Sequence, residues 1–186
     1  TMHALLMDAD GGVWSCGVGK YGALGHGNLA DKQAPRRIQD LAQVQVEQVA
    51  AGAFHSMALS TDGQAYSFGW GVCGRLGHGD QKPKNRPVRI AALDGVKICQ
   101  VSAGTTHSLA VGEKGELYSW GAYGSGRLGL GERRLENQLT PQPVRLPRGV
   151  RIWQASAGGS HSLAVATDGA LYSFGSGWHG RLGLVG

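Results

Sequence analysis

Apolar and polar positions alternate with a period of two over short stretches of this chain, and the stretches return in the same order. Val46-Glu47-Gln48-Val49-Ala50-Ala51 alternates and predicts a strand, after which Gly52-Ala53-Phe54 turns the chain into a second strand from His55 to Ser60. Asp62-Gly63 supplies a tight hairpin turn, since both residue types tolerate positive φ, and Ala65 to Phe68 returns as a third strand. Small and large residues alternate in the second strand (Ser56, Met57, Ala58, Leu59), which predicts a sheet packed on both faces by other sheets. A fourth strand is expected at Pro87-Val88-Arg89-Ile90, because proline suits the beginning of an edge strand.

The same cycle recurs along the chain: His3, His55, His107 and His161 succeed one another at 52, 52 and 54 residues. The turn has equivalents at Asp10-Gly11, Lys114-Gly115 and Asp168-Gly169, and the fourth strand at Pro35-Arg36-Arg37-Ile38 and Pro143-Val144-Arg145-Leu146. Glycine-rich loops come after the third strand, at 17–27, 69–79, 121–131 and 175–183. Four short antiparallel strands in about 50 residues make one propeller blade, and each blade buries its apolar faces only against its neighbours. The predicted fold is therefore all-β: antiparallel four-stranded blades of a β-propeller, in an incomplete ring. Residues 1–186 read as one propeller segment with units 1–46, 47–98, 99–152 and 153–186, the first and last partial.

Composition narrows the class. Thirty-two glycines with 41% hydrophobic residues, and no Gly-X-Y period, argue for turn-dense β structure rather than disorder or collagen. No apolar run approaches the roughly 18 residues needed to cross a bilayer, and no basic-then-apolar leader opens the chain, so no membrane partner is expected. Cys16, Cys73 and Cys99 are an odd set without a Cys-x-x-Cys pair, which predicts a reducing, intracellular setting, cytoplasmic or nuclear, and neither disulfide nor zinc framework. A net charge of +5 permits an acidic partner without requiring one.

The cycle Asp-Gly-x-x-Tyr-Ser-(Trp/Phe)-Gly, Gly-(Arg/Ala)-Leu-Gly-x-Gly, Pro-x-x-(Ile/Val/Leu), Ala-Gly-x-x-His-Ser-x-Ala resembles the regulator of chromosome condensation repeat, over essentially the whole chain. The resemblance implies a ring of seven blades, which at this period needs roughly 360 residues. The missing blades are expected from the rest of a longer chain or from another subunit. It also implies protein partners, among them a Ran-class small GTPase whose nucleotide exchange some members promote, or an acidic histone surface. Exchange members resemble one another in an acidic residue just before the loop histidine. Here Phe54, Thr106 and Ser160 precede His55, His107 and His161, which weakens that reading. A plant ultraviolet-B photoreceptor similar to the family carries a Trp-Arg pair in this loop. None of these three loops has either residue, so Trp14 and Trp120 are read as blade packing.

Three patterns invite chemistry. Gly17-Val18-Gly19-Lys20-Tyr21-Gly22 and its equivalents match a dinucleotide pattern, but the chain continues into Leu-Gly-x-Gly rather than into a helix that could receive a pyrophosphate. His55-Ser56 with Asp62 has the residue types of a hydrolase triad, yet adjacent strand side chains point to opposite faces, and a catalytic site needs one constellation rather than four. His3, His55, His107 and His161 are therefore expected to orient loop backbone, and Arg75, Arg127 and Arg181 to tie adjacent blades. Lys82, Lys84, Arg86 and Arg89 on one connection, Arg133 and Arg134 on the next, Arg145, Arg148 and Arg151 beyond, and Arg36 and Arg37 in the first could sum to one positive rim for DNA phosphates or an acidic histone surface. The expected function is a non-catalytic protein-interaction platform with no cofactor and no metal. Phe54, Thr106, Ser160, Lys82, Lys84, Arg86, Arg133 and Arg134 are its candidate partner-facing residues. The alternatives are nucleotide exchange on a Ran-class GTPase and chromatin binding.

Overall fold

The computed structural model describes residues 2–131 and 136–183, and its strands form four antiparallel sheets arranged as blades of an unclosed ring. Blade 1 holds β1 (His3–Met7), β2 (Val13–Gly17) and β3 (Lys32–Arg37), and blade 2 holds β4 (Val46–Ala51), β5 (His55–Ser60), β6 (Ala65–Gly69) and β7 (Lys84–Arg89). Blade 3 repeats blade 2 with β8 (Ile98–Ala103), β9 (His107–Gly112), β10 (Leu117–Gly121) and β11 (Gln138–Pro143). Blade 4 has β12 (Ile152–Ala157), β13 (His161–Ala166) and β14 (Leu171–Gly175).

Alternation along the second strand of each blade divides its side chains between two seams. Met57 and Leu59 pack toward blade 3 with Ile90, Leu93 and Trp120, whereas Ala58, between them, faces blade 1 with Val13, Ile38 and Phe68. Leu109 and Val111 repeat this toward blade 4, and Ala110 faces back toward blade 2. A large residue on one face and a small one on the other lets flat sheets stack without a gap, which is why β5 and β9 are buried at every position.

Polar ties fix the seams. The Gln48 amide donates to the Val101 carbonyl at 3.2 Å and accepts from the Val101 N–H at 2.8 Å; Gln100 does the same with Ala155 at 2.7 Å in each direction. Each amide thus satisfies backbone groups on the next blade's first strand. Between them the Ala-Gly loops meet: the Ala53 N–H donates to the Gly104 carbonyl, and the Thr105 N–H to the Gly158 carbonyl, both at 3.2 Å. A Cβ at Gly104 would lie 2.5 Å from the Gly158 carbonyl oxygen, so only glycine permits this approach.

The deepest tie is a relay. His3 Nε2 lies 2.8 Å from Ser56 Oγ, His55 Nε2 2.8 Å from Ser108 Oγ and His107 Nε2 2.9 Å from Ser162 Oγ, each serine belonging to the next blade. Each serine hydroxyl in turn donates at 2.8 Å to a loop carbonyl of the histidine's own blade, at Ala23, Arg75 or Arg127. A hydroxyl has one proton to give, so the histidine must donate through Nε2–H. Its Nδ1 is then a bare lone pair, and in His55 and His107 that atom is buried with no partner. Burial first, with nearby arginine and neighbouring histidine charge adding to it, holds both rings down to about 3 from the usual 6.5.

Three details differ from the sequence reading. Only the glycine of Asp62-Gly63 is left-handed, at φ 83°, and its N–H donates to the Ser60 carbonyl at 2.9 Å; Asp62 keeps negative φ and its carboxylate meets the Ser60 hydroxyl instead. The outer strands begin three residues before Pro35 and Pro87, which fall where pairing with the third strand shifts register. In blade 3 the equivalent proline is Pro141, not Pro143. The Val144 N–H donates to the Leu117 carbonyl as Ile90 does to Ala65, so Val144 takes the place that pattern matching gave to Leu146. The run Pro141-Gln142-Pro143-Val144 offers two prolines, and spacing alone picks the wrong one.

Two outcomes are expected. In the unfolded chain the histidines take protons near pH 6.5, but in the fold His55 and His107 do so only near 3. The unfolded state therefore binds more protons between these values. Stability, full above about pH 6.5, falls as the pH drops, by about 2 kcal/mol per residue at pH 5. Urea melts at pH 7.5 and 5.0 should show this fall, and the His55→Gln/His107→Gln variant should be weaker at pH 7.5 but flatter with pH; equal slopes contradict the relay. Gly104→Ala should cost about 1–3 kcal/mol by overpacking backbone. Gly159→Ala, where the nearest atom is Thr105 Oγ1 at 3.7 Å, should change thermal midpoint little.

Candidate functional site

The glycine-rich loops and the Gly-x-x-His loops emerge at the same end of the blades, because the third strand leaves that end as the second enters it. Each glycine-rich loop closes a single 3-10 turn broken by a left-handed residue: Tyr21, Cys73, Ser125 or His179, at φ 64°, 63°, 60° and 59°. No α-helix succeeds any of these turns among the described residues. The loop donors are already used, with the Gly19 N–H on the Asp31 carboxylate and the Cys73 N–H on the Gln81 amide, both at 2.9 Å. These loops are turns held by the chain's own side chains and present no phosphate cradle.

Their left-handed geometry turns side chains across the seam. Tyr21 of blade 1 stacks on Trp70 of blade 2, with centroids 4.4 Å apart and planes at 8°, and Phe54 meets Trp70 edge-on at 5.3 Å. The Arg75 guanidinium sits 4.9 Å from the Trp70 ring and donates to the Val72 carbonyl at 2.9 Å and, across the next seam, to Thr105 at 2.8 Å. Its side chain is almost wholly buried although its charge persists, because carbonyls and ring faces surround it. Lys20 lies 4.9 Å over the outer face of the Tyr21 ring. Tyr21, Phe54 and Trp70 remain half-buried, and beyond them Tyr123 and Trp178 stand 40% and 76% exposed. The result is an apolar and aromatic loop end with a cation at its centre.

Of the residues that the sequence singles out, Phe54 is in this cluster. The Thr106 hydroxyl accepts from Arg127 Nη1 at 2.6 Å, and the Ser160 carbonyl accepts from the Ser176 N–H at 2.9 Å. Arg127 also reaches Gly159 of the next blade at 3.1 Å, while Arg181 donates to the Trp178 carbonyl at 2.6 Å. His3, His55 and His107 reach serine hydroxyls of the next blade, and the serine, rather than the ring, bonds the loop carbonyl. Trp120 is buried and donates to the Arg75 carbonyl at 2.9 Å, whereas Trp14 is not packed inside: it stands half-buried at the hairpin, donating to Asp8.

Among the described residues the expected positive rim does not form as one surface. Lys84 pairs with Asp80 at 2.9 Å and Arg86 with Asp40 at 2.7 Å, so much of that connection is neutralised locally. The Lys84 ammonium also draws the Asp80 carboxyl below its usual range. Lys82 stays near the loop end, while Arg145, Arg148 and Arg151 lie at the opposite, hairpin end of the blades. Arg133 and Arg134 lie outside the described residues. Among those described, no three His, Cys, Asp or Glu side chains gather as a metal set, and no helix is long and apolar enough to cross a membrane.

Sequence reasoning missed Tyr21, Trp70 and the Gln48 and Gln100 clamps. The glutamines left a signal, since they recur at one phase of the first strand. The aromatic stack left none, because Tyr21 and Trp70 do not occupy equivalent places in their repeats and meet only once the blades are set side by side.

Comparison with known proteins agrees with the geometry. The ultraviolet-B receptor UVR8 of Arabidopsis thaliana is 42% identical over 183 residues, covering 98% of this chain and 41% of the receptor. The crystal structure of human WBSCR16 superposes with a TM-score of 0.88 at 28% identity, covering 98% of this chain and 48% of that one. Prp20p from Saccharomyces cerevisiae, described with its binding properties to Gsp1p and histones, does so at 0.83 and 25% identity, covering 98% and 45%. The chain thus spans less than half the length of each. The RCC1-like domain profile matches residues 1–186, and with blades, seams and loops of this kind the chain belongs to the RCC1-like domain family.

Proposed function

We propose that this propeller segment is a protein-recognition platform that works through its loop end and carries no catalysis of its own. The observation that supports this is the Tyr21–Trp70–Phe54 stack around Arg75, flanked by exposed Tyr123 and Trp178. Aromatic rings and arginine dominate protein interfaces, the rings because they bury much area for little lost side-chain entropy, and Arg75 is already held in place by the Val72 and Thr105 carbonyls. Seams tied by buried relays keep that end preorganised, so a partner would bind without reordering the scaffold. Phe54, Thr106 and Ser160 are its partner-facing positions, with Lys82 at its edge.

A second reading is nucleotide exchange on a Ran-class GTPase, or histone binding, favoured by the likeness to Prp20p. The loop end lacks a carboxylate beside His55, His107 or His161 that could disturb a bound magnesium or phosphate group, which favours the platform.

Incubating the full-length protein with a Ran-class GTPase carrying fluorescent GDP should leave nucleotide release at its intrinsic rate; acceleration of tenfold or more would replace the platform reading with exchange. Against the protein's purified partner, Tyr123→Ala/Trp178→Ala should weaken binding by about tenfold or more, roughly 1.4 kcal/mol, with an unchanged melting curve. Undiminished binding would place the interface elsewhere.

A further inference from the structure

The hairpin ends of blades 2 and 3 carry the same groove built from different residues, and the difference says what the second groove accepts. In blade 2 the groove runs between the turn at Asp62–Ala65 and the connection from Arg89 to Lys97, with a volume of about 330 Å3. The Leu93 N–H donates to the Ile90 carbonyl at 3.0 Å and closes a 3-10 turn (Ala91–Leu93) that drives Leu93 inward to 4% exposure. Leu41 does the same in blade 1, bonding Ile38 at 3.1 Å. The Val96 N–H bonds the Leu93 carbonyl at 3.0 Å, the Val44 N–H bonds that of Leu41 at 3.0 Å, and the Val150 N–H bonds that of Pro147 at 3.1 Å. Pro147 therefore occupies the leucine position in blade 3.

Proline has no N–H to close that turn. No 3-10 turn forms there, Pro147 stands exposed, and Val144, at the position of the fully buried Ile38 and Ile90, is left half-buried. The groove, from Lys114–Leu117 to Pro143–Arg151, opens to about 430 Å3 with Leu117, Val144 and Leu146 in its lining.

Its charges change in the same direction. In blade 2 Arg89 pairs with Asp94, and Lys97 with Glu113 at 2.8 Å. At the corresponding places blade 3 has Pro143 and Arg148, and Arg151 and Thr167, so both carboxylates are gone and an arginine stands where Asp94 was. Lys114, Arg148 and Arg151 are exposed and form no ion pair among the described residues. The one acid in the lining, Glu116, is folded back against Gly112, with Oε2 buried.

We infer that the blade 3 groove binds a partner peptide in which a leucine-type side chain is succeeded by acidic residues. The leucine would take the place vacated at Pro147, and the acids would meet Arg148, Arg151 and Lys114, as Leu93 and Asp94 do within blade 2. This site is at the opposite end from the aromatic loops, so it stands or falls independently of the platform reading above.

The test is fluorescence anisotropy of a fluorescein-labelled EALDEE peptide titrated with the full-length protein. Saturable binding is expected, weakened at least tenfold for an EAADEE peptide and for Arg148→Asp/Arg151→Thr. Should that double variant melt early, Thr167→Glu, which gives Arg151 the carboxylate that Lys97 has, must weaken binding severalfold with the groove intact. No saturation up to about 1 mM peptide would overturn the inference. So would equal affinity for EAADEE, or tighter binding of a single-stranded hexanucleotide, which would make the site a general anion or nucleic-acid contact.

Discussion

The buried histidine that donates to a serine of the next blade is the contact on which the rest of the structure depends. It links three elements in one step: the histidine strand of one blade, the serine strand of the next, and the Gly-x-Leu-Gly loop that returns over them. Because the serine proton is committed to a carbonyl, Nε2 must carry a proton, and burial of the ring with Nδ1 unpartnered keeps it neutral and so in one tautomer. The relay therefore sets the angle and height of neighbouring blades, and the flat apolar seams, which alone would tolerate sliding, are fixed in register. The glutamine clamps and the glycine carbonyl contacts act at the same seam nearer the axis.

Much of this was legible in the residues. The period of two, the Asp-Gly turns and the return of histidine at near-constant spacing point to blades, since a strand buried on both faces must alternate large against small when its two neighbours are copies of itself. What was not legible depends on contacts between repeats. Spacing placed His55 and Ser56 side by side on one strand and could rule out their acting together, but could not show that each joins a different neighbour. The choice between Pro141 and Pro143 required the Val144 hydrogen bond. Among the described residues the positive rim is broken up because charges that look grouped in sequence are separated by blade height, and because Lys84 pairs with Asp80 of its own connection and Arg86 with Asp40 of the neighbouring blade.

Repetition also makes departures informative. A residue shared by all blades serves the seam, whereas one that breaks the pattern is free of that duty. Tyr21 and Trp70 break it at the loop end, and Pro147, Arg148 and Thr167 break it at the hairpin end. The scaffold thus carries two distinct surfaces, one aromatic with an enclosed cation and one apolar with unpaired cations. Blade 3 gives up the leucine that packs the earlier seams, at Pro147, but its seam with blade 4 keeps the His107–Ser162 relay and the Gln100 clamp on Ala155.

The protonation of the seam histidines decides whether blades are locked in this way, and nitrogen NMR of the imidazole rings reads it directly. With 15N-labelled histidine, His55 and His107 are predicted to hold an Nε2–H tautomer, with Nδ1 resonating as a bare acceptor nitrogen, unchanged from pH 7 to pH 5. Titration of either ring near its ordinary value, or a proton found on Nδ1, would contradict the relay.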